Sequence, residues 1–227
     1  MTDSGLEQDV GLVCDLIERK KEQGRRTIIG IGGPPASGKS TLAEAVVQTL
    51  NKGVEGISAK ASLLPMDGYH LDNRLLESRG LLTRKGAPET FNSEGFCETV
   101  EGLVYSRRET FHPKFDRQMD LAIANSIAIH RDTPVVVVEG NYLLLKSDPW
   151  ISLREVFSAT VFVCPPLSAL RDRLQQRWIE HGLDPEAATL KATGNDIPNA
   201  ETVMRESYEA DLRLSQNYTE FGLRYAY

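Results

Sequence analysis

Gly33-Pro34-Pro35-Ala36-Ser37-Gly38-Lys39-Ser40 follows directly on Ile28-Ile29-Gly30-Ile31, and this stretch decides how the rest of the chain is read. The octapeptide fits G-x-x-x-x-G-K-[ST], and the apolar run before it reads as a buried strand. Downstream, Leu42, Ala43, Val46, Val47 and Leu50 recur at helical spacing, so the order is strand, glycine-rich turn, helix. Such a turn aims successive backbone N–H groups, together with the positive end of the next helix, at an anion. Nucleotide phosphate binding is therefore the first expectation. Gly33, Pro34, Pro35, Ala36, Ser37, Gly38, Lys39 and Ser40 would cradle the phosphates, with Lys39 reaching the terminal ones and Thr41 adding a weaker contact. The Ser40 hydroxyl would sit on a magnesium ion, a hard cation that takes oxygen ligands and shares its other positions with phosphate and water.

Working outward, 227 residues suffice for one α/β domain with a sizeable core. With 32 acidic against 26 basic residues, the net charge is -6, and no long Lys/Arg run occurs. A broad nucleic-acid or acidic-membrane surface is not expected, and small molecules are the expected partners. The three cysteines, Cys14, Cys97 and Cys164, lie far apart, which suggests neither a zinc site nor a disulfide framework and fits a reducing cytoplasm. No apolar stretch approaches the roughly 18 residues of a membrane span.

Leu6, Val10, Val13 and Ile17 form a helical stripe that closes before Gly24, predicting a leading helix within residues 1–25 packed on a single domain that spans 26–227. Beyond the helix after the phosphate loop, a turn is expected at Gly53 to Gly56 and a second strand over Ala59 to Met66, ending at Asp67. From Gly68 to Thr90 the pattern breaks into an ordered loop or small helical excursion, and Phe96, Val100, Leu103 and Val104 resume helical spacing. Val135-Val136-Val137-Val138 reads as a parallel strand buried on both faces, with Glu139 at its end. A short strand over Thr160 to Val163 precedes a helix carrying Leu167, Leu170, Leu174 and Trp178, and Leu212 to Ser215 supplies a last strand. Alternating strands and helices predict an open, mostly parallel sheet covered on both sides, whose ligands gather at the carboxyl ends of the strands.

Three features thus converge on one rim: the phosphate loop, Asp67 and Glu139. Phosphoryl transfer to a hydroxyl needs a clamped triphosphate with its metal and a carboxylate to accept the proton. Asp67 is assigned as that base and Glu139 as a carboxylate of the magnesium site.

Phosphate loop, Met66-Asp67-Gly68-Tyr69-His70, Arg84-Lys85-Gly86-Ala87-Pro88-Glu89-Thr90-Phe91 and Val138-Glu139-Gly140 together resemble the phosphoribulokinase, uridine kinase and bacterial pantothenate kinase family. The likeness covers most of the chain after about Arg25. It implies a three-layer P-loop fold with a small helical lid at about 171–200, ATP as donor, and an acceptor-site excursion at about 68–120. Asp67 is again the base and Glu139 a metal-site carboxylate; the acceptor pocket would draw on Tyr69, His70, Arg84 and Lys85. Pro113-Lys114-Phe115-Asp116 is similar to the family's Pro-x-Tyr-Asp acceptor motif, which adds Phe115, Asp116 and the adjoining Arg117. Phe115 replaces the tyrosine, and Asp120 stands where uridine kinases carry a base-holding histidine. Arg173 and Arg177 fall where lid arginines close on the phosphates. His112 is a further candidate acceptor contact.

Asn195-Asp196-Ile197-Pro198-Asn199-Ala200 adds a likeness to a subgroup with some bacterial members that carry a fructokinase label. The acceptor is ranked as a sugar such as fructose, then a pantothenate-like polyol amide, then a nucleoside. From another class, an ATP-hydrolysing switch or assembly protein stays open. A guanine switch does not, because the only Asn-Lys, Asn51-Lys52, continues as Gly53-Val54. Many relatives of the family form dimers, and a homodimer stays open as well.

Overall fold

The structure is a computed structural model and describes residues 4–53 and 59–215. Its central sheet is built from β1 (Thr27–Gly32), β2 (Ala61–Pro65), β5 (Val135–Gly140), β6 (Ala159–Val163) and β7 (Leu212–Leu214), in the order β2-β5-β1-β6-β7. Every pair in that sheet is parallel. The helices are α1 (Ser4–Lys20), α2 (Lys39–Leu50), α3 (Asn73–Ser78), α4 (Ser93–Leu103), α5 (Leu167–Glu180), α6 (Pro185–Lys191) and α7 (Ile197–Glu206). The turn expected at Gly53 to Gly56 lies mostly outside the described residues, although Gly53 does take a left-handed φ of 74°.

Two hydrophobic cores explain why the strands read as continuous apolar runs. Ile28, Val136, Val138 and Phe162 face one core with Phe96 and Val100 of α4. Ile29, Ile31, Val135, Val137 and Val161 face the other, with Val13 and Ile17 of α1 and Leu42 and Val46 of α2. Successive strand residues alternate between the two layers, so a sheet covered on both sides needs an apolar residue at nearly every position.

The remaining two strands, β3 (Thr110–Asp116) and β4 (Leu121–Ile129), form a separate antiparallel hairpin. β3 falls within the acceptor-site excursion that the resemblance implies at about 68–120, and the hairpin runs beyond it to Ile129. The reason is visible in β4: Leu121-Ala122-Ile123-Ala124-Asn125 has no inward-outward alternation, and the register shifts between His112 and Lys114. The hairpin is nevertheless seated tightly, since a Cβ added to Gly68 would lie 2.3 Å from the Pro113 carbonyl oxygen. Only glycine permits that approach.

Arg26 pins the base of the sheet. It is 7% exposed, and its guanidinium donates to the carbonyls of Thr133 (2.8 Å), Leu103 (2.9 Å), His130 (3.1 Å) and Arg131 (3.1 Å). A planar fork with five N–H groups can hold several carbonyls at once, here joining the start of β1 to the end of α4 and the β4–β5 connection.

Candidate active site

The register places the rim residues side by side. Pro65 pairs with Glu139 across β2 and β5, and Gly32 pairs with Gly140 across β1 and β5. Asp67, two residues past Pro65, therefore stands beside Glu139, and the turn Gly33 to Gly38 leaves the neighbouring strand. Met66 and Gly140 are in close contact: a Cβ on Gly140 would lie 2.5 Å from that of Met66.

The turn has the shape an anion cradle requires. Gly33 lies so near β6 that a Cβ on it would come within 2.3 Å of the Val163 oxygen, while Gly38 has φ 91° and Ala36 φ 62°. Gly38 caps α2 with no side-chain hydrogen bond, and the first turn of α2 carries no acidic residue. Its amide groups and dipole are thus left to a ligand. The Ser37 hydroxyl is buried and unpartnered. Lys39 is 9% exposed, and burial pushes its ammonium below its ordinary pKa against the opposing pull of Glu139 and Asp67. Thr41 faces solvent.

Ser40 Oγ donates to Glu139 Oε2 at 3.1 Å. Glu139 is buried, and that burial raises its carboxyl above the usual value although Lys39 draws it down. A buried carboxylate oxygen beside a serine hydroxyl is a donor pair suited to a small hard cation. Among the described residues no group of three or more His, Cys, Asp or Glu side chains gathers into a metal cage, so a magnesium ion here would take its other ligands from phosphate and water.

Asp67 is the second residue of a single 3₁₀ turn, Met66–Tyr69. Its Oδ2 accepts from Arg117 Nη2 at 3.1 Å. Burial pushes the carboxyl upward, but Arg117, then His70, Lys39 and Arg177, outweigh it and hold the group below its ordinary value. Arg117 belongs to the β3–β4 turn, which Asp116 shapes by accepting from the backbone N–H groups of Gln118 and Met119, both at 2.9 Å. Asp116 is thus occupied in building the turn.

Beside this lies a polar and aromatic cluster. Lys85 Nζ donates to Asn73 Oδ1 at 2.6 Å and to the Asp120 carbonyl at 2.7 Å, pairs with Asp120 Oδ1 at 2.8 Å, and stands 4.9 Å over the Phe115 ring. His70 sits between Phe91 and Phe115, with centroids at 4.0 and 4.6 Å. Its Nδ1 is 2.7 Å from the Asp67 carbonyl oxygen, and burial lowers its pKa. Arg84 is half-exposed and pairs with Glu89 at 3.4 Å.

Tyr69 and His112 are not on this surface. The Tyr69 ring packs edge-on to Phe96 at 5.0 Å, within the core, and its hydroxyl meets His112 Nδ1 at 3.4 Å. His112 is itself buried, with Nε2 2.8 Å from Thr110 Oγ1. Tyr69, in the turn after β2, and His112, on β3, face inward while Asp67 and His70 face the rim, an orientation the sequence does not reveal.

On the other side of the phosphate loop, α5 brings Arg173 and Arg177 one helical turn apart. Arg173 Nη1 donates to the Ala36 carbonyl at 3.3 Å. Arg177 Nη2 donates to Asp196 Oδ2 at 3.1 Å and lies over Trp178. Tyr142 went unnoticed in the sequence, although it is fully buried and its hydroxyl donates to the Gly86 carbonyl; an aromatic residue directly after the Glu139-Gly140-Asn141 strand end was the available signal.

No family model matches the chain. It is 35% identical over 188 residues to the uncharacterized protein YggC of Escherichia coli K12, which spans 83% of this chain and 77% of that one. It is 28% identical over 207 residues to "putative uridine kinase C227.14" of Schizosaccharomyces pombe, covering 88% and 87%. Among solved structures it aligns with a "putative fructose transport system kinase" from Silicibacter sp. TM1040 at a TM-score of 0.83 and 39% identity, over 90% of this chain and 98% of that one. Identity of that extent over most of both chains means that the chain belongs to the P-loop kinase family of phosphoribulokinases, uridine kinases and pantothenate kinases.

Proposed function

We propose that this kinase transfers the terminal phosphoryl group of ATP to a hydroxyl of a small metabolite, with a sugar as the preferred acceptor. The observation that carries the reading is the placement of Asp67 and Glu139 at the ends of adjacent strands, beside the phosphate loop, in opposite electrostatic settings. Asp67, ionised and held by Arg117, is the group suited to accept the acceptor's proton as its oxygen attacks the phosphorus and ADP departs. Lys39 and the backbone of Gly33 to Gly38 hold the donor phosphates. Ser40 and Glu139 would hold magnesium, which when bound neutralises charge on the phosphates. Arg173 and Arg177 supply fixed positive charge from the lid without a proton to lose.

Three features favour a sugar. Lys85, Asn73 and Asp120 offer hydrogen-bonding groups rather than an open aromatic slot, His70 already fills the space between Phe91 and Phe115, and the 39% identical relative is named for fructose transport. Pantothenate and nucleosides are the alternatives within the same chemistry. The test is ADP release with MgATP against fructose, other sugars, pantothenate and uridine, beside an acceptor-free control. One acceptor should stimulate release, and Asp67→Asn should abolish the stimulation while nucleotide binding persists. Acceptor-independent hydrolysis that ignores Asp67 would instead mark an ATPase switch.

A further inference from the structure

Asn195 and Asp196 end a π-helical turn, Ala192–Asp196, between α6 and α7. Such turns place side chains out of the regular helical register and recur at functional sites. Both residues are buried, at 4% and 7% exposure, yet they reach in different directions. Asn195 Nδ2 donates to the Lys85 carbonyl at 2.9 Å. The next residue, Asp196, accepts through Oδ2 from both Arg177 Nη2 and Trp178 Nε1. The residue that starts the turn, Ala192, packs with Leu174 and Ile197 in a small cluster that also takes in Ala36 of the phosphate loop.

One turn is therefore linked to three things: the phosphate loop through the cluster that Ala192 shares with Leu174 and Ile197 and against which Ala36 packs, Arg177 through Asp196, and the Lys85-Gly86 peptide through Asn195. That peptide is held on both sides, its carbonyl by Asn195 and its N–H by Thr90 Oγ1 at 3.0 Å, and Tyr142 holds the next carbonyl, that of Gly86. Gly86 has φ 98°, a conformation only glycine holds readily. Among the described residues, Asn195 Oδ1 is buried with no partner. Because the facing group is a carbonyl, the amide cannot flip to relieve it. A buried orphan acceptor opposes stability, so this asparagine is a costly way merely to fill space.

We propose that the Asn195–Asp196 pair couples the two halves of the site: seating of a nucleotide in the phosphate loop is transmitted through the π turn to the Lys85-Gly86 segment, ordering the acceptor side. Asn195 and Asp196 are positioning residues. The inference rests on the reading of Gly33 to Thr41 as the nucleotide site and needs no knowledge of the acceptor.

Hydrogen exchange of the full chain, with and without the magnesium complex of a non-hydrolysable ATP analogue, tests it. In the native protein the analogue should slow exchange at residues 33–41 and also at 82–91, the latter by about fivefold, the factor one hydrogen bond supplies. Asn195→Ala should keep the slowing at 33–41 and lose it at 82–91. A merely structural role would change the basal exchange of both states and leave the ratio between them intact. If the alanine variant does not fold, Asn195→Asp keeps the shape and removes the donor, and the same loss is expected. Equal slowing at 82–91 in native and variant proteins, or none in the native protein, would overturn the coupling. Absence of slowing at 33–41 would overturn the nucleotide reading itself, and this inference with it.

Discussion

Arg117 Nη2 stands 3.1 Å from Asp67 Oδ2, so a residue on the tip of a hairpin is paired with a carboxylate fifty positions earlier. Burial pushes the Asp67 carboxyl upward, and Arg117 leads the charges that reverse this and hold it below the ordinary carboxylate value. A group depressed on folding is ionised at every pH above its lowered value. It contributes stability above the unfolded carboxylate pKa, about 4, and loses that contribution as pH falls through the folded value. If Asp67 is the base, the acid limb of kcat/KM lies below the usual carboxylate range. Arg117→Gln removes the leading downward pull, so the limb should move to higher pH, with the loss of activity greater at pH 5 than at pH 8. Two parallel pH profiles check this, and an unmoved acid limb would dissociate the pair from turnover.

The hairpin can hold Arg117 there only because Gly68 lets it approach. In Gly68→Ala the new Cβ meets the Pro113 oxygen at 2.3 Å, and β3 must move away from the turn that bears Asp67. Overpacking of this kind costs about 1–3 kcal/mol. A displacement near 1 Å of a group set for catalysis is worth on the order of 100-fold. The variant should melt a few degrees lower and lose far more kcat/KM than stability. Steady-state kinetics beside a thermal melt separate the two, and a loss of stability with unchanged turnover would show that the hairpin's position does not matter to the chemistry.

Arg26 makes the opposite prediction. Its four carbonyl contacts lie at the amino-terminal end of the sheet, away from the rim. Arg26→Ala strands those carbonyls in a buried setting and should cost about 3 kcal/mol, which for a chain of this size lowers Tm by about 6–12 °C. Arg26→Lys should recover only part of this, since an ammonium cannot reproduce the fork. In both variants turnover per folded molecule should match the native protein. A variant that melts normally but fails to turn over would contradict this assignment.

What the sequence discloses follows from how local the cause is. β1, β5 and the phosphate loop are legible because burial on both faces and an anion cradle each impose their residues within a dozen positions. Asp67 and Glu139 are legible as strand ends. β4 is not, since its exposed Leu121, Ile123 and alanines carry no period, and the hairpin's position is set by Gly68 against Pro113. Arg26 hides in a charged run beside Arg25. The pairs Arg117–Asp67 and Asn195–Lys85 join residues 50 and 110 positions apart, and only the assembled topology brings them together. The inward orientation of Tyr69 likewise depends on the parity of one 3₁₀ turn, and that of His112 on the register of β3.

If Lys85 lines the acceptor pocket, its replacement separates the acceptor side from the donor side. Its side chain is 13% exposed and its ammonium is held by Asn73, the Asp120 carbonyl and the Asp120 carboxylate, above the ring of Phe115. Lys85→Ala leaves its backbone carbonyl in place for Asn195, so the link to the π-helical turn survives. It deletes the contact between the acceptor loop and the hairpin turn and exposes Asp120 as an uncompensated negative charge. The acceptor KM should then rise by about tenfold to 100-fold, the worth of one to two charge-assisted hydrogen bonds, while the KM for MgATP stays within about twofold of native. Lys85→Arg should not restore it, because three oxygens arranged about a point charge do not fit a planar fork. Measuring both KM values in the two variants decides the matter, and a parallel rise in the MgATP constant would move Lys85 from the acceptor side to the donor side.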